Sequence, residues 1–237
     1  MQREVQSERF FTSLISGDRV GARQLLEEAA ETEGRVDQIL TGICWPTLHH
    51  IQSLYRADQI SQLAHHYATR LMRNLIARMQ PKLEQRPSRN KRVLVVSGNE
   101  QSEELAAQIV SDLLEADGYA VHYVGGGIAN DELVAEIGNI QVDVLVVFGA
   151  MPATVPQTRL LIDRLHEIAV CPSLQIVVGG GVFGRADGLA EEIGADLWAN
   201  DPEEIVKVMH EQVDRRMETS QRTVGRRRRG GNKKDAA

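Results

Sequence analysis

Apolar residues recur at helical spacing in the first third of the chain and form short continuous runs after it. Residues 7–80 contain no strand-like alternation of apolar and polar positions. From residue 92 onwards, apolar runs alternate with amphipathic stretches, a pattern typical of a parallel sheet covered by helices. The polar stretch 82–91 contains Pro87 and no periodicity. We therefore predict a helical domain at 1–81, a linker at 82–91 and an α/β domain at 92–218.

The N-terminal domain reads as four or five helices that form a small bundle. Asp18 follows a Ser-Gly turn and can cap a helix, and Pro46 separates two further apolar groups. The longest predicted helix covers residues 62–79. Its expected inward stripe consists of Leu63, Tyr67, Leu71 and Leu75.

The α/β domain reads as five strand–helix units, which favours a doubly wound parallel sheet with flavodoxin-like strand order. The third strand is an unbroken apolar run, as a strand buried on both faces requires. The predicted strands cover residues 93–97, 119–124, 142–148, 175–178 and 195–198. The predicted helices cover residues 103–116, 131–137, 155–168 and 202–217.

Charge is distributed unevenly along the chain. The net charge is −6, although the last part of the chain is strongly basic. The acidic body argues against a nucleic-acid-binding face on the folded part. Residues 219–237 read as a disordered tail. This tail is either a solubilising end or an electrostatic arm that weakly contacts nucleic acid or an acidic partner through Arg226, Arg227, Arg228 and Arg229.

Several function classes lack support in the sequence. There is no run of eighteen apolar residues and no apolar segment behind the charged N-terminus, so we expect a cytoplasmic protein without a membrane span. Cys44 and Cys171 lie far apart and are expected to be buried as small apolar residues. Neither a dinucleotide fingerprint nor a nucleoside-triphosphate loop is present. No nucleophile–base pair has local support, and we expect no catalysis by the chain itself.

Glycines cluster at the ends of predicted strands. They are Gly98, the run Gly125, Gly126 and Gly127, and the run Gly179, Gly180 and Gly181. All three clusters should lie at the same edge of a parallel sheet, where α/β proteins bind ligands. Either the strand–helix turns require glycine, or this edge receives a flat ligand.

Three motifs of the α/β domain resemble those of the cobalamin (B12)-binding module, a helical cap followed by a flavodoxin-like domain. They are the segment 113–121 (LLEADGYAV), Val124-Gly125 followed by 131–134 (DELV), and 178–181 (VGGG) followed by 193–196 (IGAD). The resemblance covers roughly residues 10–215. It implies that cobalamin is the cofactor and that the glycine-rich edge lines the corrin ring and its nucleotide tail.

The signature loop departs from the family pattern. Members that replace the cofactor's own base with a protein histidine carry DxHxxG after the first strand, whereas here Asn99, Gln101 and Glu104 occupy the three defining positions. A neutral amide cannot replace imidazole as a strong cobalt ligand. Gly149 stands where the family has a serine that contacts the displaced tail. The resemblance therefore implies cobalamin with its own base retained.

The cap carries a second match. Caps of the light-sensing members have a tryptophan followed, ten and eleven residues later, by Glu-His on the upper face of the cofactor. Tyr55, His65 and His66 have this spacing. The resemblance implies that Tyr55 covers the cofactor, that His65 replaces the acid and that His66 is the candidate upper cobalt ligand. Without the resemblance, a structural or solvent-facing role suffices for both histidines, since no metal partner lies at i+3 or i+4.

We expect a regulatory cobalamin-binding protein that signals through a protein partner, for example a transcription regulator. The alternative is a degenerate module that binds no cobalamin and serves protein interaction or senses another ligand, as the acidic loop Glu100, Glu103 and Glu104 suggests. A corrinoid methyl carrier is the weaker third reading because the lower histidine is missing. A cap with exposed histidines is also compatible with a homo-oligomer.

Overall fold

The computed structural model describes residues 2–149 and 152–217. The basic tail predicted at 219–237, with Arg226 to Arg229, lies outside these residues. Within them the chain forms a helical cap followed by a five-stranded sheet with helices on both faces. No helix in these two ranges is long and apolar enough to cross a membrane.

The cap consists of five α-helices and one π-helical turn. Ser61 caps the longest helix by accepting a hydrogen bond from the backbone N–H of Ala64, and Asp18 caps α2 in the same way, as the sequence predicted. The elements are α1 (Gln2–Ser16), α2 (Arg19–Glu33), α3 (Val36–Ile39), the π-helical turn Leu40–Cys44, α4 (Trp45–Arg56) and α5 (Gln62–Met79), followed by a 3₁₀ turn at Gln80–Lys82.

The second part is an all-parallel sheet with the strand order β2-β1-β3-β4-β5. This order confirms the predicted flavodoxin-like fold. The strands are β1 (Arg92–Val96), β2 (Ala120–Gly125), β3 (Val144–Phe148), β4 (Gln175–Gly179) and β5 (Leu197–Ala199). The helices are α6 (Gln101–Ala116), α7 (Asn130–Ile140), α8 (Val155–Ile168), α9 (Leu189–Ile193) and α10 (Pro202–Glu211).

One hydrophobic core joins the cap to one face of the sheet. Successive strand residues point to opposite faces, so Val95 packs towards α6 and the cap, whereas Leu94 packs towards α7 and α8. Helix α6 lies between the two parts: Leu105 and Ile109 are fully buried in the same cluster as Met72 of α5. The cap is therefore packed on the sheet domain through continuous apolar contact.

The predicted inward stripe of α5 was wrong at its N-terminal end. Leu63 is 61% exposed and Tyr67 is 47% exposed, whereas His65 and Met72 are buried. Two apolar stripes run side by side on this helix, and periodicity alone does not say which one faces the bundle. The Tyr67 ring instead covers Gly17, where an added Cβ would lie 3.3 Å from the ring.

The predicted linker is held against the sheet domain by hydrogen bonds. The backbone N–H of Arg86 donates to the carbonyl of Ala116 and that of Arg89 to the carbonyl of Gly118. The buried carboxylate of Asp117 accepts from Arg86 Nη1 at 2.5 Å and from Arg89 Nε at 2.9 Å. These contacts tie the segment between cap and sheet to the end of α6.

The last helix ends at Glu211, six residues before the predicted end at residue 217. The side-chain amide of Gln175 donates to the carbonyls of Gln212 and Arg215, which hold the following segment in a non-helical path. The short helix α9 was not predicted, because its five residues are too few for a periodic signal.

The two cysteines are free thiols. Cys44 is fully buried as predicted, and burial raises the pKa of its thiol to about 12. Cys171 is only half-buried, and its Sγ lies 3.7 Å from the carbonyl oxygen of Ile137. A thiol that stays protonated is a poor nucleophile, so Cys44 acts as an apolar core residue.

Replacing Asp112 with asparagine should stabilise the protein at alkaline pH. Asp112 lies on α6 with 9% exposure, and its Oδ2 has no hydrogen-bond partner in the described part of the chain. Burial first, and Glu115 second, raise the pKa of this carboxyl from 3.8 to about 7. Between about pH 4 and about pH 7 the folded protein keeps a proton on Asp112 that the unfolded chain has released. The contribution of Asp112 to the free energy of unfolding therefore becomes less favourable as the pH rises through this range.

We expect Asp112→Asn to gain about 4 kcal/mol at pH 8, because asparagine needs no proton to stay neutral and the pKa of the carboxyl is raised from 3.8 to about 7, and much less at pH 5. Urea unfolding at both pH values measures the difference, with Asp187→Asn on the surface as the matched control. An equal effect of Asp112→Asn at both pH values would contradict this account.

Candidate functional site at the cap and the sheet edge

The first turns of α5 project beyond the carboxyl edge of the sheet. Arg73 Nη2 lies 2.9 Å from Glu104 Oε2 and 3.3 Å from the carbonyl oxygen of Gln101, in the first turn of α6. Gln80, one residue past α5, donates to Glu115 near the end of α6. The two helices thus run side by side in the same direction. At 1.5 Å per residue, His66 lies about 10 Å further along the axis than Arg73, above the strand ends.

One face of α4 also covers this edge. The Trp45 ring lies 5.5 Å from the ring of Phe148, the last residue of β3. Gln52 Nε2 donates to the carbonyl of Ser102 at 3.1 Å, and His49 lines a cavity of about 460 Å³ together with Asn200 after β5. Positions 45, 49 and 52 follow helical spacing, a signal that the sequence analysis did not use for this helix.

His65 is the buried histidine of the cap. It is 4% exposed, and its ring stacks on Tyr55 with centroids 4.1 Å apart and an interplanar angle of 11°. Its Nε2 has no hydrogen-bond partner within residues 2–149 and 152–217. Burial lowers the pKa of the imidazole, His66 lowers it further, and Glu100 opposes both. The ring is therefore neutral at physiological pH and lies within electrostatic reach of the loop after β1.

The structure brings the three predicted cap residues together. His66 lies edge-on to His65, with centroids 6.2 Å apart, and is half-buried. Tyr55 is also half-buried. No group of three or more His, Cys, Asp or Glu residues suited to a metal ion occurs in the described chain. A metal at this place would need ligands beyond those that residues 2–149 and 152–217 supply.

The loop after β1 is organised by a capping box. The backbone N–H of Glu100 donates to Glu103 Oε2 at 3.0 Å, and the Glu100 side chain accepts from the backbone of Glu103 in return. Because of this reciprocal cap, α6 begins at Gln101, two residues before the predicted start. Asn99 is exposed, and Gln101 is half-buried at the first position of the helix.

Close backbone packing accounts for several of the glycines. A Cβ on Gly126 would lie 2.1 Å from the carbonyl oxygen of Gly98, and one on Gly98 would lie 2.2 Å from the Glu103 carboxylate. A Cβ on Gly179 or Gly180 would lie 2.9 Å from the Phe148 ring. These four positions need glycine whether or not a ligand binds.

Other glycines leave open space. Gly125 and Gly127 have φ of +82° and +79°, and a Cβ on either would meet no heavy atom closer than 3.9 Å. Gly181 has φ of +53°. The open part of the edge thus lies beside β2 and the loop after β1, where Asn99 Oδ1 approaches Gly127.

The crevice at the switch between β1 and β3 is closed by α6. A Cβ on Gly149 would lie 3.0 Å from the carbonyl oxygen of Glu103 and 3.3 Å from the Ala106 side chain, and Gly149 has φ of +83°. The serine that the resembled family carries here does not fit this backbone. Together with Phe148 and Trp45, these contacts fill the space between the ends of β3 and β4.

Two family models match the chain. Both are described as a B12 binding domain; one covers residues 6–80 and the other covers residues 91–207. The first match coincides with the helical cap and the second with the sheet and its helices.

Corrinoid proteins are among the similar proteins. Dimethylamine corrinoid protein 1 of Methanosarcina acetivorans is 26% identical over 115 residues, 48% of this chain and 53% of that protein. A corrinoid protein of Desulfitobacterium hafniense is 28% identical over 105 residues, 44% of this chain and 48% of that protein. The matched region spans about half the length of these curated relatives. The solved monomethylamine corrinoid protein of Methanosarcina barkeri has the same fold, with a TM-score of 0.73 and 21% identity over 85% of this chain and 95% of that one.

Replacing Gly180 with alanine should cost more stability than the same change at Gly188. Both glycines have positive φ, so both substitutions bear the strain of about 1–2 kcal/mol that the left-handed conformation imposes. Only Gly180 also faces the Phe148 ring, whereas nothing lies within 4 Å of the added methyl at Gly188. We expect an excess loss of roughly 1–3 kcal/mol for Gly180→Ala from overpacking, measured by urea unfolding. Equal losses would show that Phe148 does not fill this space.

Proposed function

Because the chain belongs to the cobalamin (B12)-binding domain family, we propose that it holds cobalamin between the cap and the carboxyl edge of the sheet, with the cofactor's own base retained. We further propose that occupancy of this site is signalled to a protein partner. The single observation that carries the first part is the absence of a nitrogen ligand at Gln101, where members that displace the base have histidine.

The lower side of the site supports retention of the base. The Gln101 amide is a weak ligand for cobalt, and Asn99 cannot supply the carboxylate that orients a ligating histidine. The contacts of Gly149 with Glu103, and those of Gly180 with Phe148, narrow the space between β1, β3 and β4 that a displaced tail would need.

The open part of the edge fits a corrinoid. The exposed Gly127 lies beside Asn99, the buried Gly125 lies beside the Glu104 and Tyr123 side chains, and the cap provides Tyr55 and His65 on the side of this loop. The other predicted contact residues would touch the cofactor only with backbone atoms. They are Gly126, Gly149, Gly179, Gly180 and Gly181. When bound, a corrinoid supplies a cobalt ion with axial positions on its two faces. The task of this chain is to orient the corrinoid and to shield one face.

The packing of the cap supports a regulatory role. The cap and the sheet share one core, and Arg73 pairs with Glu104 across the junction. A corrinoid that enters between them must shift the cap. The shifted and the unshifted arrangement of the cap therefore bind the corrinoid with different affinities and expose different surfaces. A partner that contacts the junction could distinguish them. A transcription regulator as the partner, and self-association, stay predictions.

A methyl carrier is the second candidate. The similar proteins of Methanosarcina and Desulfitobacterium are named corrinoid proteins, and the similarity covers slightly less than half of this chain. A carrier must expose cobalt to a second protein during each cycle. The continuous core between cap and sheet opposes such frequent opening, and the loop lacks the histidine that would tune the cobalt.

The test is the visible spectrum of the full chain after incubation with aquacobalamin and desalting. We expect a retained corrin spectrum of the base-on type. The double variant Asn99→Asp/Gln101→His should shift the bound cofactor towards the base-off type, because it restores an imidazole with an orienting carboxylate. Gln108→His, further along α6, is the matched control and should leave the spectrum unchanged.

A base-off spectrum in the unmodified chain would contradict retention of the base. A colourless protein would contradict cobalamin binding and favour the alternative of a degenerate module. Addition of a methyl donor and acceptor system then separates carrier from regulator: a carrier exchanges the methyl group repeatedly, whereas a regulator changes its partner affinity on binding alone.

A further inference from the structure

Three buried side-chain atoms lack a hydrogen-bond partner in the described residues. They are Thr47 Oγ1, His65 Nε2 and Asp112 Oδ2. Burying a polar atom without a partner costs about 1–3 kcal/mol, so each calls for an explanation. Asp112 is the carboxyl whose raised pKa keeps it protonated below about pH 7. Of the other two, only His65 stands beside the site proposed for the cofactor.

The position of the His65 ring is fixed by its surroundings. Its flat face lies on Tyr55, 4.1 Å away and tilted by only 11°, so the ring plane cannot turn without breaking this stack. The carbonyl of His65 accepts a hydrogen bond from Thr69 Oγ1 at 2.9 Å, one turn along α5. The stack therefore fixes the orientation of the ring within the cap, and the buried Nε2 can reach a ligand only when the cap shifts to admit it.

The ring lies on the side of the cap that meets the sheet edge. Glu100, which caps α6 in the loop after β1, acts electrostatically on His65 from across the junction. Arg73, two turns further along α5, bonds to the same end of α6. The Arg73 bonds place this part of α5 beside the first turn of α6, and the influence of Glu100 on the pKa of His65 agrees with that placement.

His66 has none of these features. It is half-buried rather than buried, and no stacked aromatic ring orients it among the described residues; its ring meets only the edge of His65. A half-exposed imidazole satisfies its nitrogens with water at little cost. The spacing that the sequence shares with light-sensing caps points to His66, but the burial and packing of the two residues point to its neighbour.

We propose that His65, rather than His66, presents its Nε2 to the upper axial position of the corrinoid cobalt, with Tyr55 as the residue that orients it. This inference rests on the proposed function, since it assigns the upper contact of the same site. A neutral imidazole nitrogen is a good ligand for cobalt and, when coordinated, would no longer be a buried atom without a partner.

The experiment compares two cobalamins on the full chain. Aquacobalamin has an upper water that a nitrogen ligand can replace, whereas the cyanide of cyanocobalamin blocks that position. We expect aquacobalamin to show a band shift towards that of an imidazole–cobalamin standard when bound. His65→Gln should lose this shift and weaken aquacobalamin binding by about tenfold, about 1.4 kcal/mol, while cyanocobalamin binds equally to both. His66→Gln is the matched control and should retain the shift.

A second variant distinguishes the loss of the imidazole ligand from a loss of folding. His65→Gly leaves a space that free imidazole can enter, so added imidazole should restore the band shift at a lower concentration than in His65→Gln, where this space is filled. Far-ultraviolet circular dichroism checks the fold of each variant, and Tyr55→Leu should broaden or weaken the shift without abolishing cyanocobalamin binding.

The outcomes separate the two claims. If the unmodified chain retains neither cobalamin, the proposed function fails and the assignment of His65 falls with it. If it retains both cobalamins but the shift persists in His65→Gln, or disappears in His66→Gln, cobalamin binding stands and the assignment of His65 is overturned.

Discussion

The packing of α6 between the cap and the sheet is the constraint on which the rest of the structure depends. One face of this helix covers β1, β2 and β3, α10 packs beside it, and its further contacts include α4 and α5 of the cap. Its first turn also carries the contacts to Gln52 and Arg73. Because one helix serves both parts, the position of the cap over the strand ends follows from the same apolar burial that stabilises the sheet.

This arrangement determines where a cofactor can contact the chain. Around Gly149 and Phe148 the space between strand ends is filled by side chains and by α6 itself. Beside β2 the edge stays open, and the cap contains a buried imidazole nitrogen without a partner. In our proposal a corrinoid that enters here would contact this edge below and His65 above. The lower nitrogen would come from the cofactor's own base, since Asn99 and Gln101 supply no imidazole.

The sequence was sufficient for the order of elements and the family, because long apolar runs and periodic helices carry strong local signals. It was insufficient wherever a contact joins distant segments. Leu63 and His65 lie two residues apart, and only the packed bundle decides that Leu63 is exposed and His65 buried. Likewise, Gly180 reads as a ligand contact in the sequence, although the Phe148 ring explains it. His49 lines a cavity with Asn200, which lies about 150 residues further along the chain, so no local pattern indicates this contact.

The most direct measurement of the central claim is the electron paramagnetic resonance spectrum of cob(II)alamin bound to the full chain, prepared with uniformly ¹⁵N-labelled protein and unlabelled cofactor. The lower nitrogen ligand splits the cobalt lines into triplets when it is ¹⁴N and into doublets when it is ¹⁵N. Because neither Gln101 nor Asn99 supplies an imidazole, the account predicts triplets from the cofactor's own base. Doublets without triplets would show that a protein nitrogen, and not the cofactor's own base, binds the cobalt and would contradict the account.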